Sequence, residues 1–248
     1  MKTLSKFFAL IIGISIATLA QGQELKVNEM LYRAYLTNSK TMWEKGVGLK
    51  QEAYNKDETN TDLLLDLALA QYGLLGSTMA NQDKETFKKY LDDTKENLEK
   101  VIKHDEKSAE PKAILSSVYG LEMAYSPWKG MYLGSRSGSL MEKAVKLNDR
   151  SALVLKLHAG SKLFTPKMFG GNINMAIESF KKAIDLFESE PEKLKNNWLY
   201  LDALSFLGQA YEKAGKKEEA IATYKKALEF EPEFGWVKYS LLPNVQRQ

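Results

Sequence analysis

His104 and His158 are the side chains of this sequence best suited to move protons near neutral pH. They lie far apart, in different helical stretches, and no HExxH pattern accompanies either. Each reads as a surface or packing residue. Ser179 and Lys182 meet the S-x-x-K spacing of a serine nucleophile with a lysine base, but they sit in a lysine-rich helical run without the companion motifs. The segment GSRSG, residues 134–138, could cradle an anion through its backbone amides and Arg136. It lacks a P-loop lysine, and arginine at its centre rules out a nucleophile elbow, so a flexible polar turn is expected there. The chain has no cysteine, which excludes disulfides, thiolate metal sites, a cysteine nucleophile and a lipidated N-terminal cysteine. The expectation is a protein with no catalytic residues, no metal site and no cofactor.

The remaining candidates are binding residues. Trp128, Met131 and Tyr132 lie in the glycine-rich stretch SPWKGMYLGSRSG, and Met168 and Phe169 in FTPKMFGGN. Large groups in such surroundings can form a lip over a groove or anchor a partner. Two helical runs, LLLDLALAQYGLL (63–75) and ALVLKLHAG (152–160), are apolar nearly all round. Either both sides are buried, or one side lines an apolar groove.

The elements that must position these residues follow from a search for internal repeats. Residues 201–234 place Leu204, Leu207, Gly208 and Tyr211 ahead of Ala220, Tyr224, Ala227 and Pro232. Small residues let two antiparallel helices approach, the aromatic fills the seam, and proline stops the second helix. In order and spacing this unit resembles the 34-residue tetratricopeptide repeat. Ala176, Phe180 and Ala183 reproduce the second half of the signature, with Gly160 as the matching close-approach residue upstream; Gly120 and Ala144 take those roles one unit earlier. Periodicity adds pairs at about 62–75 with 84–104 and 28–36 with 39–54, and a short capping helix at 234–241. The fold class expected is all-α, a tetratricopeptide-like α-solenoid of about five antiparallel helix pairs.

Gly208 and Ala227 are 19 residues apart, whereas Gly160 and Ala183 are 23 apart and Gly120 and Ala144 are 24. The extra residues fall between the helices of each pair, so inserted loops should line one rim, with GSTMANQ (76–82) joining them. The resemblance implies that first helices line a concave face. Val154 and Leu157 would then face inward, while Asp202, Ser205, Gln209 and Glu212 would make a polar end. The insert before Ala176 also resembles the periplasmic tetratricopeptide components of tripartite ATP-independent transporters, thought to hold apolar ligands. That likeness spans about 20 residues.

Residues 1–22 read as a secretory leader: Lys2 and Lys6, an apolar run from Phe7 to about Ala20, then small residues. Its apolar run is shorter than the ~20 residues of a membrane helix, and no other segment reads as long and apolar enough to span. The domain then runs over 23–248, periplasmic or secreted. Formal net charge is +3, and loss of Lys2 and Lys6 leaves 33 basic against 32 acidic residues. With no basic stripe, nucleic acid is not an expected partner. The resemblance implies a protein or peptide partner, with Trp128, Tyr132, Arg136, Val154, Leu157, Phe169, Asp202 and Gln209 as candidate contacts. The alternative is a small apolar ligand in the concave face.

Overall fold

The computed structural model describes residues 22 and 24–247; the leader expected over 1–22 lies almost wholly outside them. Every regular element described is helical. The first helix, α1, covers 24–37, followed by α2 (Lys40–Lys56), α3 (Thr61–Asn81), α4 (Lys84–His104), α5 (Glu110–Tyr125), α6 (Gly130–Leu147), α7 (Ala152–Phe164), α8 (Ile173–Glu188), α9 (Trp198–Lys213) and α10 (Lys217–Phe230). A π-turn at Val237–Leu241 runs into α11 (Leu242–Arg247), so the chain stays helical beyond the short cap expected. Helix starts are written locally. Ser39, Asn60, Asp83, Ser151, Asn172 and Asn197 each accept a hydrogen bond from a first-turn backbone amide.

Consecutive helices pack as antiparallel pairs, giving five pairs and an all-α solenoid among the described residues. In the last pair the sequence signature has the geometry it requires. Gly208 of α9 faces the ring of Tyr224 of α10, at a distance that leaves no room for a Cβ, and Ala220, Tyr224 and Ala227 are fully buried. Upstream, the register differs from expectation. An added Cβ at Gly160 or Gly120 would meet nothing within 4 Å, so neither is a close-approach residue. The α5–α6 seam is closed instead by Ser116 and Ser137. The Ser116 hydroxyl donates to the Ser137 carbonyl (2.8 Å), and the Ser137 hydroxyl donates to the Ser116 carbonyl (2.9 Å). In the α7–α8 pair Ala159 is the fully buried neighbour of the half-exposed Gly160, while Ala176, Phe180 and Ala183 are buried as expected.

Only one of the three expected rim loops is a loop. GSTMANQ completes α3, whose cap Gln82 is left-handed (φ 53). The stretch after Tyr125 makes one 3₁₀ turn at Pro127–Lys129 and enters α6 at Gly130. Leu133, Ser137, Met141 and Ala144 are buried at helical spacing, and that stripe outweighs the poor helix propensity of Gly134 and Gly138. Residues 134–138 are therefore helix, neither the flexible polar turn expected nor an anion cradle. FTPKMFGGN does form a loop, described below.

Helix α3 also corrects an expectation. Over Thr61–Asn81 its mean hydropathy reaches 1.3, long and apolar enough to cross a membrane by length and composition. Here it packs against α2, α4 and α5, with Leu64, Leu67, Leu74 and Leu75 in the core.

The array closes on itself. Tyr32 of α1 donates to the Glu231 carboxylate, 199 residues away, at 2.9 Å. Tyr35 packs its ring against Trp198 of α9 and Phe234 and donates to Asp202 at 2.9 Å. Trp43 of α2 meets Trp198 edge-on, with ring centres 5.4 Å apart. The first pair thus seals the last, and the inner faces of α3, α7 and α9 converge on Trp198.

Candidate functional site

The inner helices enclose a polar cluster in an apolar interior. Lys156 of α7, 3% exposed, pairs with Asp202 of α9, and its ammonium lies 5.6 Å from the Tyr72 ring centre and 5.9 Å from that of Trp198. Burial alone would lower the Lys156 ammonium. The Asp202 carboxylate outweighs that penalty, with Tyr72 adding to it, and the group is held above its ordinary value. Burial, then the Asp202 charge, pushes the Tyr35 phenol well up. The cluster holds its charges as a pair, with Lys156 and Asp202 both buried.

That settles several candidates. Val154 and Leu157 are 0% and 2% exposed, so they are core residues and not the wall of a groove. Asp202 is buried and committed to Lys156 and Tyr35. Gln209 lies half-buried further along α9, its amide nitrogen buried without a partner among the described residues. Beside the Lys156–Asp202 pair, Tyr35 of α1 packs against Trp198 and Phe234 and donates to Asp202.

His158 and Ser179 also bridge α7 and α8, with Nδ1 and Oγ 3.0 Å apart. Burial first, and the Lys162 charge second, lower the imidazole from 6.5. A depressed histidine contributes stability that is present above the unfolded value and is lost as pH falls through the folded one. In an NMR titration of the two histidines the His158 ring should titrate below 6.5, and thermal stability should decline over that same acidic range. A His158 midpoint above 6.5 would contradict its burial.

On the outer wall, α4, α5 and α6 bound an open groove of about 470 Å³. Helix α4 supplies Asp92, Lys95, Glu96 and Glu99, α5 supplies Tyr119 and Glu122, and Lys129, Tyr132, Leu133 and Arg136 close the far side. At its floor the buried Glu122 carboxylate accepts from Lys129 (2.6 Å) and Lys95 (3.4 Å). Arg136 donates to Glu99 at 2.8 Å, with its guanidinium 5.0 Å from the Tyr119 ring centre. Trp128 stands beside Tyr132, with ring centres 6.0 Å apart, and both are exposed. Three expected contact residues, Trp128, Tyr132 and Arg136, therefore come together. Phe169 is not part of this lining and lies in the 3₁₀ turn Lys167–Phe169 after α7.

The groove holds a carboxylate neutralised by two lysines, an arginine stacked on tyrosine, and exposed aromatics. Its lining suits peptide backbone and charged side chains more than an apolar small molecule. No cluster of three or more metal-capable side chains occurs among the described residues. Sequence reasoning missed Glu99, Glu122 and the interior pair. Lys156 and Asp202 did leave a signal, as single charges of opposite sign inside the apolar runs ALVLKLHAG and WLYLDALSFL.

Comparison with known proteins agrees with the all-α repeat fold. The family model described as Tetratricopeptide repeat matches residues 201–234. Among solved structures, the chain is similar to TTC0263, a thermophilic tetratricopeptide protein of Thermus thermophilus. They share 17% identity over 92% of this chain and 99% of that one, with a TM-score of 0.61. MamA matches at 22% identity over 78% of this chain and 91% of its own, with a TM-score of 0.41. YrrB, described as having an unusual peptide-binding site, matches at 15% identity, covering 84% and 85%, with a TM-score of 0.40. No curated protein matches the chain.

Proposed function

We propose that this tetratricopeptide-repeat protein is an exported docking scaffold that holds a protein partner in the outer groove between α4 and α6. The fold suggests protein–protein interaction. The observation that carries the location is the contrast between the buried Val154, Leu157 and Asp202 and an open groove lined by Tyr119, Tyr132 and Arg136 with Trp128 at its lip. Tyrosine, tryptophan and arginine are the residues that dominate binding energy at protein interfaces. The leader-like segment 1–22 supports an extracytoplasmic, periplasmic or secreted setting. The transporter-component alternative, an apolar ligand in the concave face, is disfavoured by the burial of Val154 and Leu157, its proposed wall.

The test is a photo-crosslinking side chain at Tyr132, with Lys181 on α8 as the control position, in cells that make the protein. A discrete protein adduct confined to Tyr132, and lost on Trp128→Ala, is the expected outcome. Equal adducts at both positions, or none at Tyr132, would contradict the groove.

A further inference from the structure

Beyond the groove, the edge of the solenoid formed by the turns after α5 and α7 carries an unusual surface. Met131 is 91% exposed, Met168 82%, Phe169 71%, Trp128 66% and Phe164 54%. The loop after α7 is firmly shaped. Phe169 and Gly171 donate to the Pro166 carbonyl at 2.9 and 3.2 Å, and Asn172 donates to the Lys162 carbonyl at 2.9 Å. Gly170 takes φ 95, and a Cβ at Gly171 would collide with the Thr165 carbonyl. Met168 and Phe169 are thereby held outward and do not fold back on the core.

The charges around these residues have one sign. The stretches 126–136 and 160–175 contain Lys129, Arg136, Lys162 and Lys167 and no carboxylate. Lys129 and Arg136 turn back to Glu122 and Glu99. Lys162 and Lys167 make no ion pair among the described residues, and the Lys213 ammonium lies 5.2 Å from the Phe164 ring centre. On the opposite edge, the turns at 57–62, 105–110, 148–151, 189–197 and 231–233 carry eleven carboxylates against four cations, Lys107, Arg150, Lys193 and Lys195. The turns flanking the apolar pair, 78–86 and 213–219, are mixed in sign.

We infer that this edge seats on an anionic lipid bilayer surface, with Phe164, Met168 and Phe169 entering the headgroup region, Trp128 and Met131 beside them, and Lys162, Lys167 and Lys213 meeting lipid phosphates. Apolar tips flanked by lysines match the composition of interfacial membrane binders, where long amine side chains reach headgroups while aromatics sit at the boundary. Protein interfaces favour arginine and are depleted in lysine, and the cations left without an ion pair here are lysines. The opposite edge, acidic on balance, is disfavoured at the same surface, which sets the orientation. The inference is carried by Phe164, Met168 and Phe169, none of which lines the α4–α6 groove, so it does not depend on the groove having a partner.

The experiment is co-sedimentation of the processed protein with vesicles of equal parts phosphatidylglycerol and phosphatidylcholine, against phosphatidylcholine alone. Binding to the anionic vesicles, weakened by salt, is expected. Met168→Ser with Phe169→Ser should cut the partition coefficient about tenfold or more. Neutralising Lys162, Lys167 and Lys213 to Gln should cost about fivefold per lysine at low salt. Tyr132→Ala should leave vesicle binding unchanged. Lys162 is half-buried and the other side chains are exposed, and unchanged thermal unfolding verifies that the variants remain folded. Absence of binding, equal binding to neutral vesicles, or equal binding by the Met168→Ser/Phe169→Ser variant would overturn the inference. So would vesicle-independent self-association abolished by that variant, which would make a second copy the occupant.

Discussion

Asp202→Ala should destabilise the protein by roughly 3–5 kcal/mol, most of it the cost of stranding a buried charge. Lys156 is almost inaccessible, and its carboxylate partner is also the acceptor for Tyr35. Removing the partner leaves an ammonium in an apolar interior and a phenol without its acceptor. The reverse expectation is as informative. Replacing both members together, with Lys156→Met and Asp202→Leu, should recover much of the loss, because a buried ion pair is worth little against well-packed apolar groups. Urea unfolding of the single and double variants measures both. A single-variant loss under about 1 kcal/mol would mean that water reaches this pair.

Gly73→Ala is the second large effect, and its sign opposes helix propensity. Alanine in a helix interior is favoured over glycine by about 1 kcal/mol. At residue 73, however, the new Cβ would enter the ring of Trp43 and approach Trp198 Cζ2 to 3.2 Å. Trp43 cannot retreat, since it is buried edge-on against Trp198. Overpacking of this kind costs about 1–3 kcal/mol after the propensity gain is absorbed. Gly76, one turn on in α3, is the control. Nothing lies within 4 Å of a Cβ there, so Gly76→Ala should stabilise by about 0.5–1 kcal/mol. Thermal melts showing Tm moving in opposite directions for the two variants would establish the close approach of α2, α3 and α9. Parallel shifts would refute it.

The pattern of what could be read in advance follows from the range of each interaction. Residues 201–234 were legible because Gly208, Tyr224 and Ala227 sit in one seam within one hairpin, where spacing encodes contact. Gly160 and Gly120 misled for a related reason. A small residue near the middle of a first helix marks close approach only if the register is known, and Ser116 and Ala159 hold the seams instead. The start of α6 was hidden by three glycines, whose low propensity is overcome by tertiary burial of Leu133 and Ser137. Tyr32 and Tyr35 carry no local mark of their partners, which lie 199 and 167 positions away. Closure of the array, and with it the conversion of Val154 and Leu157 from groove to core, is a property of the whole chain.

The central claim is that closure: the first helix seals the last pair, and docking is thereby moved to the outer wall. A double-mutant cycle between Tyr32→Phe and Glu231→Gln tests it most directly, since the two residues can interact only if the ends meet. A coupling energy of about 1–3 kcal/mol is expected for a phenol donating to a carboxylate. Additive effects, with coupling below about 0.3 kcal/mol, would show that the ends do not meet and that the concave face is open.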